Sequence, residues 1–232
     1  MKKLVGIIVA VIVVIIAFFA LSNPLGSLVK LAIEGMGPDM LQADVRVNNV
    51  RISATDGQGK LSGLKLGNPK GFKTDHALKA DNIEIVIDPT SLAGDVIVLR
   101  KVLIEAPSII YETGTGGSNF DVIQRNVDIY LGGGGKNDKR GKGESKKIII
   151  ESFIIRDAKI SYNGTVSLSL PDIELHNIGK QSDGASPGKV IKSIVTEINS
   201  KLALALANSA KLGKLGDKVK DAGSSLKSLL GK

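Results

Sequence analysis

The stretches VLIEAPSIIY (102–111) and FIIRDAKISY (153–162) decide how this chain folds. They align without a gap at an offset of 51. Apolar residues match at the first three positions, Ile109 matches Ile160, and Tyr111 matches Tyr162. Each is preceded by a similar run, DVIV at 95–98 and KIII at 147–150. Ile and Val dominate, and their β-branched side chains favour a pleated, half-buried strand. A repeat of this kind predicts one supersecondary unit used twice and stacked to share a hydrophobic face.

On either side of the repeat the apolar residues keep period two. Val45 and Val47 alternate with polar residues, and Val50 and Ile52 resume one step out of phase, as a β-bulge would require. Leu64 and Leu66 follow, then Ile83, Ile85 and Ile87, then Val96 and Val98. Further alternation appears at Val166, Leu168 and Leu170 and at Ile173 and Leu175. Short runs separated by turn residues predict a mainly β, α+β fold built on an antiparallel meander. Some ten strands side by side at about 4.8 Å would make a sheet roughly 48 Å wide.

Composition narrows the chemistry. The 232 residues are 43% hydrophobic but only 3% aromatic, with no Trp and no Cys. Without cysteine there is no disulfide framework, thiolate nucleophile or Cys-ligated metal. His76 and His176 are the only histidines. No paired-His or H-x-x-E spacing offers a metal site, and no nucleophile elbow accompanies the serines. The reading is therefore of a protein without catalysis, metal or cofactor. A net charge of +8 suits an anionic partner, either nucleic acid or membrane head groups.

The N-terminus chooses between them. Leu4 to Leu21 carry no charged side chain, and as a helix they would span about 27 Å, close to a hydrocarbon core. Residues 1–22 read as an uncleaved signal anchor, with Ile7, Val11, Ile15 and Phe18 facing lipid. The run is long for a signal peptide, and Ala20-Leu21-Ser22 is a poor cleavage site. Lys2 and Lys3 place the N-terminus in the cytoplasm, and everything beyond Ser22 lies across the membrane, away from nucleic acid.

LSGLKLGNPKGFKT (61–74) looks like a phosphate loop, but its spacing does not fit G-x-x-x-x-G-K-[ST], and Pro69 has no N–H to offer. Asn68, Pro69 and Gly71 read as a structural turn, with Phe72 folding back on the sheet. GTGGSN (114–119) also falls short of a dinucleotide fingerprint. Ser118, with Asp121 three residues on, reads as the N-cap of a helix over 118–131 with Phe120, Ile123, Val127 and Leu131 on one face. Residues 132–146 read as a basic, glycine-rich loop, and 23–41 as a linker or short helix.

Residues 42–180 form the predicted β-rich domain. The C-terminal segment 186–232 starts at Ser186-Pro187 and carries an apolar stripe at Ile191, Ile194, Ile198, Leu202 and Ala205, which over 187–207 reads as a helix packed on the sheet. Farther on, Leu212, Leu215, Val219, Ala222, Leu226 and Leu229 recur at helical spacing beside Lys211, Lys214, Lys218 and Lys227. Such a basic amphipathic helix suits an anionic membrane surface. Gly213, Gly216 and Gly223 weaken its distal part, which is expected to order only on contact.

Read together, Asn68, Pro69, Gly71, Phe72, Asp88, Ser91, Leu92, Pro107, Ile109 and Tyr111 behind a signal anchor resemble the AsmA-like proteins of bacterial envelopes, and SLSLPDIELHNIG (167–179) fits the same pattern. The resemblance covers roughly residues 1–180. It implies anchoring in the inner membrane, a periplasmic domain, a curved sheet with an apolar concave groove, and a role in phospholipid movement or outer-membrane maintenance. Partners are then phospholipid or a membrane surface, with other envelope proteins beside them. Val45, Val47, Leu64, Leu66, Ile83, Ile85, Ile87, Val96 and Val98 are the residues predicted to line the groove. The short strands and Asn-Pro also resemble the water-stress sandwich domains, which would make a protective or scaffolding module without a groove.

Overall fold

The computed structural model describes residues 24–132, 146–168 and 171–230. The signal-anchor residues Ile7, Val11, Ile15 and Phe18 lie outside that range, as does most of the loop at 132–146. Among the described residues no helix is long and apolar enough to cross a membrane.

The strands in chain order are β1 (Val45–Arg46), β2 (Asn49–Ile52), β3 (Gln58–Ser62), β4 (Leu64–Leu66), β5 (Leu78–Ala80), β6 (Asn82–Ile87), β7 (Val96–Glu105), β8 (Ser108–Tyr111), β9 (Thr113–Gly114), β10 (Gly117–Ser118), β11 (Lys147–Arg156), β12 (Lys159–Tyr162), β13 (Val166–Leu168) and β14 (Ile173–Ile178). Three helices join them: α1 (Pro24–Leu41), α2 (Asn119–Gly132) and α3 (Pro187–Leu230).

Twelve of the strands form two six-stranded sheets, β1-β4-β5-β8-β12-β13 and β2-β3-β6-β7-β11-β14. The order is the same in both, because each chain segment contributes to both. β1 runs into β2, β4 follows β3, β6 follows β5, β8 follows β7 and β12 follows β11, each after one to two irregular residues. The architecture is one six-stranded sheet bent along a line, and it does not close on itself. Gly63, Ala106 and Asp157 stand on that line with φ of 65°, 47° and 52°. The extra residue shifts the side-chain alternation by one, so the same face stays apolar on both arms. The width is therefore six strands, about 29 Å, rather than the roughly 48 Å expected from ten, because short runs join end to end as bent strands.

The sheet is mixed rather than wholly antiparallel. β7 pairs with β11, and β8 with β12, in parallel. Every partner in both ladders is 51 residues away, from Val96↔Lys147 to Tyr111↔Tyr162. The sequence repeat is thus the central strand pair in register. A parallel pair requires a crossover, and α2 with the following segment supplies it. The positive-φ residues Ala106 and Asp157 are separated by the same offset, so the bend is repeated along with the strands.

The apolar face is continuous. One row crosses all six strands of the longer arm as Val50, Leu61, Ile83, Ile104, Ile155 and Ile173. The other arm carries Val45, Leu66, Leu78, Ile109 and Ile160. Against this face lie three helices: α2 and the first part of α3, both expected there from the sequence, and α1, which was not. Met40 and Leu41 of α1, Phe120, Ile123 and Val127 of α2, and Val190, Val195, Ile198 and Leu202 of α3 share a single buried cluster with the strands.

Helix boundaries follow local chemistry. Ser118 and Asp121 form the predicted reciprocal cap: Ser118 N–H donates to Asp121 Oδ2 at 2.8 Å, and Asp121 N–H donates to Ser118 Oγ at 3.0 Å. The linker at 23–41 is an 18-residue helix, α1. The C-terminal segment is one 44-residue helix, about 66 Å long, that continues through Gly213, Gly216 and Gly223.

Candidate functional site

The concave side of the bent sheet is the surface that the sequence nominated for lipid. The structure buries Val45, Val47, Ile83 and Ile87 in the common core and leaves Leu64, Leu66 and Ile85 half-buried against it. Val96 and Val98 are placed differently. β7 carries a bulge where Ile87 pairs with Leu99 and Val86 with Lys101, leaving Arg100 as the extra residue. The inward positions are therefore Ile97 and Leu99, which pack on the core. Val96 and Val98 alternate with them and stand on the opposite face. The bulge, not visible in the period-two pattern, moves the apolar register by one.

Ties among the helices hold them over the trough. Asn126 Nδ2 donates to the Leu41 carbonyl at 2.9 Å, joining α2 to the end of α1. Asn199 Nδ2 donates to Asp121 Oδ1 and Gln124 Oε1, both at 2.9 Å, joining α3 to the start of α2. Gly188 permits the close meeting of the three helices: a Cβ there would stand 2.7 Å from Leu131 and 3.5 Å from Met40. The concave face is in this way a core filled by the protein's own helices over most of its width.

The turn at 67–75 is built around Asn68, Gly71 and a carboxylate. Gly71 has φ of 101°, a conformation side chains rarely adopt. Asn68 Nδ2 donates to the Thr74 carbonyl at 2.8 Å. The Glu112 carboxylate accepts from the N–H of Lys73 at 2.8 Å, the N–H of Thr74 at 2.9 Å and the hydroxyl of Thr74 at 2.6 Å. The loop does form a small anion nest, and Glu112 occupies it. Burial raises the Glu112 pKa, but these hydrogen bonds outweigh it and hold the group below the usual range. Asn119, fully buried, links the parts: its Nδ2 donates to Asn68 Oδ1 and to the Ile110 carbonyl, both at 2.8 Å, while its Oδ1 accepts from Glu112 N–H at 3.1 Å. Phe72 turns its ring toward Gly114 in the β9–β10 hairpin rather than onto the main sheet.

Asp88, Ser91 and Leu92 serve the next turn. Asp88 caps the 3₁₀ turn Pro89–Ala93, accepting from Thr90 N–H at 3.0 Å. Its other oxygen meets Arg100 at 2.9 Å, and this pair lowers its pKa. Ser91 Oγ donates to the Asp88 carbonyl and accepts from Val98 N–H.

One polar chain was not visible in the sequence. His76 Nε2 lies 3.1 Å from Ser108 Oγ, and its Nδ1 lies 3.3 Å from Asp75 Oδ2. Burial lowers the His76 pKa, which favours a neutral ring. Because ionised Asp75 can only accept, Nδ1 carries the proton and Nε2 accepts from Ser108. The order matches a serine-hydrolase relay, but its setting differs. Asp75 is exposed and bound by Lys65 at 2.8 Å and Lys79 at 2.5 Å, which hold its pKa well down. Ser108 stands in a strand paired on both sides, with Lys79 and Lys159 opposite it. The neighbouring backbone N–H groups serve the ladders, so no donor pair is spare for an oxyanion.

His176 is exposed beside Glu174 at 3.8 Å. No cluster of three metal-ligating side chains occurs among the described residues. Lys211, Lys214, Lys218 and Lys227 stand on the helical backbone of α3, and their side chains lie outside what the structure describes. No protein-family model matches the chain, and no curated protein matches it.

Proposed function

We propose that this chain is a non-catalytic, membrane-anchored protein of the cell envelope, held in the inner membrane by residues 1–22 with its bent-sheet domain in the periplasm. Its role is support of outer-membrane maintenance as a scaffold at the bilayer surface. The observation that carries this reading is the filled trough. Val45, Val47, Ile83 and Ile87 already pack against α1, α2 and α3, so acyl chains have no free apolar face to occupy there without displacing a helix. The bent, unclosed sheet with an apolar inner side is compatible with the AsmA-like resemblance, but the open groove that the resemblance also implies is here occupied by helices. The basic distal helix, with Lys211, Lys214, Lys218 and Lys227, supplies a contact to anionic head groups.

A second reading, carriage of phospholipid in the trough, is favoured by the half-buried Leu64, Leu66 and Ile85 on the same face. Native mass spectrometry of the detergent-extracted protein separates the two. The scaffold predicts no stoichiometric phospholipid, and one retained lipid per chain would establish carriage instead. Covalent labelling of Ser108 by a fluorophosphonate probe in the same preparation would overturn the non-catalytic assignment.

A further inference from the structure

Helix α1 is apolar on two sides. Its inner side, with Leu25, Val29, Ile33 and Met40, packs on the common core. Its charged flank is spent on the sheet edge at the bend: Lys30 Nζ donates to the Asn48 carbonyl at 3.1 Å, and Glu34 Oε1 accepts from Val47 N–H at 3.0 Å. The outer side carries Leu28, Leu31, Ala32, Gly35 and Met36, the i, i+3, i+4, i+7, i+8 spacing of a single stripe. Leu28 and Leu31 are 63% and 68% exposed, and Met36 is 39% exposed. No charge interrupts the stripe. An exposed apolar stripe without an interrupting charge is the kind of surface that meets a partner or a membrane.

Chain continuity identifies that partner. The apolar run ends at Leu21, and α1 begins at Pro24. Two intervening residues reach at most about 7–10 Å. The interfacial layer beside the hydrocarbon is itself roughly 5–8 Å deep. We infer that the outer stripe of α1 (Leu28, Leu31, Ala32, Gly35 and Met36) lies in the interfacial layer of the bilayer that holds residues 1–22. This rests on the membrane-anchored reading above. The consequence is an orientation. α1 rests in the membrane surface, and the polar outer face of the sheet, with Arg51, Lys60 and Glu84, points away from it.

The absence of cysteine makes the test direct. Single variants Ile15→Cys, Leu28→Cys, Leu31→Cys and Glu84→Cys of the full chain carry a nitroxide label in vesicles of phosphatidylethanolamine and phosphatidylglycerol. Collisions with oxygen and with a water-soluble nickel chelate are then compared. The inference predicts loss of chelate collisions with oxygen collisions retained at 15, 28 and 31, and full chelate access at 84. Chelate access at 28 and 31 with a shielded label at 15 overturns the inference and leaves the anchor standing. Chelate access at 15 as well overturns the anchor and the inference together. Labels at 28 and 31 shielded from both reagents and broadened by a label on a neighbouring molecule identify a second copy as the occupant, and that also overturns the inference.

Discussion

Ala106 and Asp157 hold the left-handed conformation that glycine adopts freely, with φ of 47° and 52°. For an L-residue this costs roughly 1–2 kcal/mol. Ala106 is exposed, so nothing blocks relief of the strain. Ala106→Gly is expected to raise stability by roughly 0.5–1 kcal/mol, read as a higher urea midpoint, since the flexibility glycine adds to the unfolded chain offsets part of the gain. A lowered midpoint would show that the bend is not strained. Glu112 makes a pH prediction. Its folded pKa is depressed, so its contribution is present above the ordinary glutamate range of about 4.5 and is lost as pH falls through the lowered value. Glu112→Gln removes that dependence, and its acid unfolding limb should be shallower than that of the parent in thermal melts across the acid range. At this scale the sequence exposed only what is local. Ser118 and Asp121 lie one helical turn apart, so their cap was legible. Asn119, Glu112 and Thr74 are brought together from separate elements, and no spacing rule joins them.

At the scale of elements, α3 carries one apolar period along its whole length. Up to Ala205 its stripe is in the core, and beyond that the same period continues through Leu212, Leu215, Val219, Ala222, Leu226 and Leu229. Each lysine near an anionic surface contributes about 1 kcal/mol, and salt screens it. A Ser224→Cys acrylodan label on the full chain should therefore shift blue in vesicles containing phosphatidylglycerol and revert at high salt. Replacing Lys211, Lys214, Lys218 and Lys227 by Glu should abolish the shift. An emission maximum indifferent to lipid charge would remove the surface contact. The strands show how far periodicity reaches. Most of them, and the slip between Val47 and Val50, could be read directly, but β3 and β5, with a single large apolar residue each, could not. The bulge at Arg100, which puts Ile97 and Leu99 inward in place of Val96 and Val98, could not, because a continuous Val/Ile run has no phase of its own.

At the scale of the whole molecule, the helices and both arms of the sheet share one core. Leu202 of α3 is fully buried in it. Leu202→Ala should cost about 2–5 kcal/mol, as a buried leucine does, and should lower the midpoint of the entire domain in one transition. Loss of α3 alone, with the sheet still melting at the parent temperature, would mean that the helix is a detachable cover.

Legible in the residues alone were most of the strands (β3, β5 and the β9–β10 hairpin excepted), the start of the second helix, and the copying of one unit 51 residues along the chain. Those follow from short-range rules: side-chain alternation, capping and turn chemistry act within a few residues. Long-range packing set the rest: the copies lie side by side in parallel, short strands join into six bent ones, and the apolar face is filled from within. Those outcomes depend on which surfaces meet. Burying the same hydrocarbon against lipid or against the chain's own helices removes it from water equally well, and a hydrophobic pattern carries no record of which partner arrives.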